Sequence, residues 1–177
     1  MWEFGRKPWT FNSGGPHSGI YRTYDGGKNW TRISDEDGLP KGDLGRVGLA
    51  IAPTTTDVVY AQVASKALAD IFVDPQNENR IYSLWSVVSR SEDGGKTFEV
   101  IIPYRGVHPD HHALWIHPDN PNYLIEGNDG GLNISHDGGK HWRFVENLPL
   151  AHFYHFNHDM DIPYNVMGGM QDIGSCV

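Results

Sequence analysis

The sequence lacks the features that mark membrane, disulfide-rich or nucleic-acid-binding proteins. Its 177 residues include one cysteine, Cys176, so no disulfide can form within the chain. No run of about 20 apolar residues is present, as a membrane-spanning helix would require. The formal net charge of −8 repels phosphate backbones, so nucleic acid is not an expected partner. Membrane insertion is therefore not predicted. No nucleotide-binding loop is recognisable, and no cofactor is predicted.

Glycine, proline and aromatic residues are plentiful instead. The chain contains 21 Gly and 11 Pro, and 12% of its residues are aromatic. Gly and Pro weaken the interior of a helix, whereas both are at home in the turns that join short strands. The composition therefore predicts an all-β fold, and the length suits a single domain.

One eight-residue segment occurs three times: TYDGGKNW from residue 23, SEDGGKTF from residue 91 and SHDGGKHW from residue 135. Each lies between two short predicted strands, and its Gly-Gly pair supplies the positive φ angles of a tight hairpin turn. The hydroxyl and carboxylate can accept N–H groups of the turn, and the closing ring is expected to be buried against a neighbouring sheet. We interpret these Asp-box hairpins as structural. The residues with this role are Thr23, Asp25, Trp30, Ser91, Asp93, Phe98, Ser135, Asp137 and Trp142.

A second repeat alternates with the first. Apolar strands end at Pro53, Pro75 and Pro118, and each continues through a polar turn into another strand; a divergent fourth copy starts at Phe153. Proline cannot donate to a strand ladder, so it suits the end of a strand. One proline hairpin and one Asp-box hairpin make a unit of four antiparallel strands. Pro75 and Pro118 are 43 residues apart, a typical interval between β-propeller blades.

The repeats predict a partial β-propeller over residues 1–177, with about three to four four-stranded blades and boundaries near residues 46, 69, 111 and 152. Only 22 residues separate Pro53 from Pro75, so half a blade is missing near residues 64–68. Complete propellers close with roughly four to eight blades. We therefore expect open sheet edges, and a homo-oligomer in which two copies complete a ring.

The hairpins resemble the bacterial-neuraminidase-type (BNR) repeats of sialidases, of the sortilin propeller and of xyloglucanase-like glycosidases. The resemblance is carried by the Asp boxes and by RKPW from residue 6, GGPHSGIYR from 14, HHALWIHP from 111, GNDGG from 127 and GGMQD from 168. It implies a fragment or shortened relative of a larger bacterial propeller of the kind described as glycosyl hydrolase-like. It also implies a secreted or periplasmic location, although Met1 to Pro8 lack the apolar segment of a signal peptide.

The same resemblance implies a candidate catalytic pair, Asp129 and Asp172, because xyloglucanase-like propellers carry catalytic aspartates in Asp-x-Gly-Gly segments. An inverting glycosidase needs two carboxyl groups roughly 6.5–9.5 Å apart. The adjacent Asn128 and Gln171 are candidate binding residues. The alternative stays open that both segments are structural turns, since successive blades repeat their turns.

Histidines are concentrated at the entry to one inner strand, in the segment from His108 to His112. These residue types suit a metal, but their spacing matches no zinc pattern and so short a loop cannot converge all its ligands, so no metal site is predicted. The candidate binding residues in this segment are His108, Asp110, His111 and His112. Ordinary polar loop residues are the alternative.

Two functions follow from these patterns. The first is a binding or scaffold propeller that recognises a peptide or glycan through exposed residues such as Trp9, Trp85 and Tyr104. The second is a xyloglucanase-like glycoside hydrolase that uses the two aspartates. Sialidase activity is disfavoured because no arginine lies in a recognisable sialidase motif, and a truncated reading frame with no function of its own is a third possibility.

Overall fold

The computed structural model describes residues 3–63, 70–148, 153–170 and 174–176, and these residues form the predicted all-β fold. Within these ranges the strands pair only in antiparallel sheets of two to four strands. In chain order the strands are β1 (Phe4–Lys7), β2 (Thr10–Ser13), β3 (Ile20–Arg22), β4 (Thr31–Ile33), β5 (Val47–Ile51), β6 (Val59–Val63), β7 (Asp70–Val73), β8 (Ile81–Leu84), β9 (Val88–Ser91), β10 (Glu99–Ile102), β11 (His111–Ile116), β12 (Leu124–Asn128), β13 (Gly131–Ser135), β14 (Arg143–Phe144), β15 (Phe153–His158), β16 (Val166–Met170) and β17 (Gly174–Cys176). A short 3₁₀ helix, Asp35–Asp37, lies between β4 and β5. No helix in this part of the chain has the length and apolar character needed to cross a bilayer.

Two of the sheets have four strands. One contains β7 to β10 and the other β11 to β14, and in both the strands follow one another in chain order. The first two strands of each sheet are a proline hairpin and the last two are an Asp-box hairpin. The two repeats of the sequence therefore alternate within a sheet, and the Asp-box turn lies between its third and fourth strands.

The other sheets are smaller. Strands β1 and β2, β3 and β4, and β5 and β6 form three two-stranded sheets, and β15 to β17 form one of three strands. Strand β5 lies against β7, and β7 and β8 lie against β11, so successive sheets adjoin through their first strands. The predicted gap at residues 64–68 lies outside the described residues.

The core lies between the two four-stranded sheets. Its central side chain is Tyr82 of β8, which is fully buried together with Leu84, Val88, Ile102 and Leu124. Strand β8 has partners on both edges, which is why its sequence is mostly apolar. Burial raises the pKa of the Tyr82 hydroxyl, because the charged phenolate is disfavoured away from water.

The Asp-box turns share one hydrogen-bond pattern. In the third turn Ser135 Oγ accepts the N–H of Gly139 (2.9 Å), and Asp137 Oδ1 accepts the N–H groups of Lys140 and His141 (3.0 Å each). The two glycines of every copy have positive φ angles between 72° and 92°. The equivalent bonds recur in the turns at residues 23–29 and 91–97. The repeated residues thus satisfy the N–H groups of their own hairpin.

These bonds make the turns sensitive to acid. The backbone N–H of Asn29 is the main cause that lowers the pKa of Asp25 to about 2. The Thr97 hydroxyl and the His141 N–H are the main causes that hold the pKa values of Asp93 and Asp137 further below the usual range. A carboxyl group whose pKa is lower in the folded state stabilises the fold fully above its unfolded pKa of about 4. That stabilisation is lost as the pH falls through the folded pKa.

We expect the free energy of unfolding to fall as the pH is lowered from about 4 to about 2. A variant with Asp93→Asn and Asp137→Asn keeps an oxygen acceptor in each turn but removes two titrating groups, so its loss over this interval is expected to be smaller. Urea unfolding at a series of pH values measures both slopes. Parallel pH dependence in the two proteins would contradict the assignment.

The expectation that all three closing rings are buried is wrong for two of them. Trp142 is half-buried and packs on the core, but Trp30 and Phe98 are 59% and 49% exposed. The third turn is covered by the preceding sheet, from which Arg90 Nη1 donates to the Gly138 carbonyl (2.7 Å). In the described residues no four-stranded sheet precedes the other two turns, so their rings are less covered than that of Trp142.

Candidate functional site

Most candidate binding residues meet at one end of the two four-stranded sheets. This end is formed by the β8–β9 turn (85–87), the loop before β11 (103–110) and the β12–β13 turn (129–130). The N–H of His111 donates to the carbonyl of Trp85 (2.7 Å), which ties the start of β11 to the preceding sheet. The side chains on this end, here called the Trp85 surface, are those of Trp85, Ser86, His108, Asp110, His112 and Asp129.

A buried polar group lies beneath the surface. Glu126 is fully buried, and its Oε1 is hydrogen-bonded to Nδ1 of His111, which is also buried. Its Oε2 accepts hydrogen bonds from the side-chain amides of Asn128 (3.1 Å) and Asn133 (3.0 Å). These four residues are here called the Glu126 cluster. A buried carboxylate is tolerated only when it has such partners.

The sheet register explains the cluster. Side chains alternate between the two faces of a strand, so Glu126 lies on the same face as the buried Leu124. Strand pairing places Glu126 directly opposite Asn133 on β13. The β11–β12 register shifts between His111 and Ala113, beside the imidazole that contacts the carboxylate. The register shift positions His111 of β11, and regular pairing positions Asn133 of β13. Both side chains therefore reach Glu126 of β12 in the interior.

Asn128 connects the cluster to the turn above it. Its Oδ1 accepts the N–H groups of Gly130 (2.9 Å) and Gly131 (3.1 Å), which is the bonding of an Asx turn. A side chain at Gly130 would not fit, since a Cβ there would lie 2.6 Å from Cβ of His108. The turn and the loop before β11 are therefore closely packed.

Two carboxylates are held on the surface by neutral or basic partners. Nε2 of His112 is hydrogen-bonded to Asp129 Oδ1 (2.8 Å), and Ser86 Oγ donates to Asp110 Oδ1 (3.2 Å). Asp110 has a φ of 64°, in the left-handed region that few residues besides Gly, Asn and Asp adopt. The second oxygen of each carboxylate has no hydrogen-bond partner in the part of the chain that is described. Both can accept hydrogen bonds from a ligand.

The structure separates the predicted binding residues into two groups. His108, Asp110 and His112 contribute to the surface, together with the candidate catalytic Asp129. His111 is buried and Asn128 is half-buried beneath it, and both are hydrogen-bonded to Glu126, so their binding role stays a prediction. Asp172 and Gln171 lie outside the described residues, and the catalytic pair stays a prediction.

Sequence analysis missed Glu126 and Asn133. The available signal was the strand Leu124–Asn128, in which a glutamate occupies a position on the apolar face. Across residues 3–63, 70–148, 153–170 and 174–176, no three side chains of His, Cys, Asp or Glu gather closely enough to hold a metal ion. Trp9 and Tyr104 are both strongly exposed.

Comparison with known proteins adds no family to this description. No family model matches the chain, and no curated protein is significantly similar to it. The BNR-repeat resemblance therefore stays a prediction from the hairpin motifs.

Proposed function

We propose that the chain is a segment of a β-propeller that binds a glycan at the Trp85 surface without hydrolysing it. Two features support the propeller. The four-stranded sheets have the same strand order, and successive sheets adjoin through their first strands, β5, β7 and β11. In a propeller the first strands surround the central channel, and loops at the ends of the strands form the binding face.

The features that carry the ligand class are an exposed indole and two carboxylates at the same end of the sheets. The Trp85 side chain is 45% exposed, although a tryptophan normally buries most of its surface. A sugar ring has an apolar C–H face that stacks on an indole and hydroxyl groups that donate to carboxylate oxygens. Asp110 and Asp129 supply such oxygens within the same surface.

The support beneath the surface also suits binding. The Glu126 cluster fixes the turn that carries Asp129, so little conformational freedom is lost when a ligand binds. Glu126 itself is fully buried and fully hydrogen-bonded, so it is not placed to touch a substrate. The hydrolase alternative assigns Asp129 a different task, and turnover distinguishes the two.

The test is titration of the full chain with xyloglucan oligosaccharides and cello-oligosaccharides, followed by calorimetry. Replacement of Trp85 by alanine is expected to weaken binding roughly tenfold or more, since buried Trp contacts dominate binding energies. Trp115→Ala is the matched control. Trp115 is 47% exposed but lies near the other end of β11, where it packs on His117 and Tyr123.

Equal affinities of the two tryptophan variants would overturn the proposal, as would the absence of binding to any glycan. Trp85-dependent binding of a peptide would also overturn the proposal, because it would identify a peptide as the ligand. Release of reducing ends that Asp129→Asn abolishes would establish the hydrolase instead.

A further inference from the structure

A groove of about 530 Å³ lies between β6 and the sheet that follows it. Residues 60–63 of β6 line one side, and Ser83, Ser89, Phe98 and the Gly94–Gly95 turn line the other. Among the residues that the structure describes, β6 pairs with β5 alone. Its other edge therefore has backbone groups available to a further strand.

The next pair of sheets, β7–β10 and β11–β14, shows which element occupies the equivalent position. There β9 and β10 follow β8 and cover the Asp-box turn of the next sheet. Arg90 Nη1 donates to the Gly138 carbonyl (2.7 Å), and Ile101 Cδ1 lies 3.1 Å from the point where a Cβ on Gly139 would be. An Asp-box hairpin is thus the element that β6 does not have among the described residues.

Burial along β6 agrees with a missing hairpin. One hydrogen bond recurs at the end of each proline hairpin and aligns the three hairpins, which makes Val59 the counterpart of Ile81 and Leu124. These bonds join Ala52 N to Val58 O, Asp74 N to Arg80 O, and His117 N to Tyr123 O. Ile81 is 1% exposed and contacts the Gly95 turn, whereas Val59 is 54% exposed. Val59 occupies a core position without its cover.

One Asp-box hairpin, β3–β4, is not part of a four-stranded sheet in the described residues. Strands β3 and β4 pair only with each other in the described ranges, and nothing lies within 4 Å of a Cβ on Gly26. Their sequence contains counterparts of Arg90 and Ile101, the two residues of β9–β10 that cover the Gly138–Gly139 turn. Counted from the shared Asp, Arg22 corresponds to Arg90 and Ile33 to Ile101.

We propose that the β3–β4 hairpin of one copy docks in this groove of a second copy, with β3 antiparallel to β6. The register of β8 and β9 then places Thr23 opposite Val59 and Tyr21 opposite Ala61. Arg22 would donate to the Gly94 carbonyl. Two reciprocal dockings give a symmetric dimer whose interface is closed. The groove is separate from the Trp85 surface, so the proposal does not depend on glycan binding.

Mixed disulfide trapping tests the register. A ¹⁵N-labelled chain with Tyr21→Cys is mixed with an unlabelled chain with Ala61→Cys, both with Cys176→Ser, and oxidised. Directly opposed residues lie within disulfide reach, so intact mass should show a mixed dimer. The matched control pairs Tyr21→Cys with Gln62→Cys, because Gln62 follows Ala61 on β6, points to the other face of the strand and should trap at least about tenfold less.

Sedimentation equilibrium tests the interface without cross-links. The unmodified chain is expected to dimerise, and Val59→Lys should raise the dimer Kd by about tenfold or more, because the lysine would be buried under the docked hairpin. Val100→Lys changes an equally exposed valine on β10 and should leave the Kd unchanged. A monomer at all soluble concentrations would overturn the proposal. So would a doubly substituted chain, Tyr21→Cys with Ala61→Cys, that closes its disulfide within one copy.

Discussion

Replacement of His111 by leucine is expected to lower the free energy of unfolding by about 3–5 kcal/mol. Leucine fills a similar volume but removes the imidazole that is hydrogen-bonded to Glu126. The carboxylate would keep its two amide donors, Asn128 and Asn133, yet lose its basic partner in a place that water does not reach. Removing one partner of a buried hydrogen-bonded carboxylate is among the most costly changes in a folded protein. Urea unfolding followed by tryptophan fluorescence measures the loss.

The neighbouring histidine is the matched control for this variant. His112 is exposed and its partner Asp129 lies at the surface, so His112→Leu should cost less than about 1 kcal/mol. Adding Glu126→Gln to His111→Leu removes the buried charge and keeps an oxygen for the two amides. This double variant should therefore recover part of the stability. Equal effects of the two leucine variants would show that the Glu126 cluster does not stabilise the fold.

The second large effect is expected from Ser135→Ala, which should lower the free energy of unfolding by about 1–3 kcal/mol. The buried Ser135 hydroxyl accepts the N–H of Gly139 and donates to Asp137 (2.9 Å each). Without it the Gly139 N–H is left unsatisfied in a buried turn. Thermal and urea unfolding give two independent measurements.

The repeats supply internal controls for this change. Thr23 makes the same bonds in the first turn, but that turn is exposed, so water can replace the lost acceptor after Thr23→Ala. Ser91 is buried while its partner Gly95 is exposed, which predicts an intermediate effect for Ser91→Ala. The expected order of destabilisation is Ser135, Ser91 and then Thr23. Three equal losses of stability would contradict the idea that burial of the turn determines how much its hydroxyl stabilises the fold.

The hairpins could be predicted from the sequence because their determinants are local. Two glycines with positive φ, a hydroxyl and a carboxylate within eight residues define an Asp-box turn whatever surrounds it. The strand order of the two four-stranded sheets then follows from the alternation of proline and Asp-box hairpins. The exposure of Trp30 could not be predicted in this way, since burial depends on which sheet lies beyond the turn.

The candidate site shows the same division. The loop from His108 to His112 was visible as a cluster of polar residues, and the structure places three of them on one surface. The partners of Glu126 could not be read from the sequence, because they lie on three strands and depend on their register. A lone glutamate in an apolar strand signals that partners exist, but it does not identify them.

The contact between Arg90 and Gly138 has a directional consequence. Each Asp-box turn depends on the sheet before it, so protection of backbone amides from hydrogen exchange should increase along the chain from the first turn to the third. Such nearest-neighbour coupling is typical of repeat proteins, in which damage to one unit passes to the next. Damage at β9 or β10 should therefore loosen the β13–β14 turn, whereas damage at β14 should leave the β9–β10 turn intact.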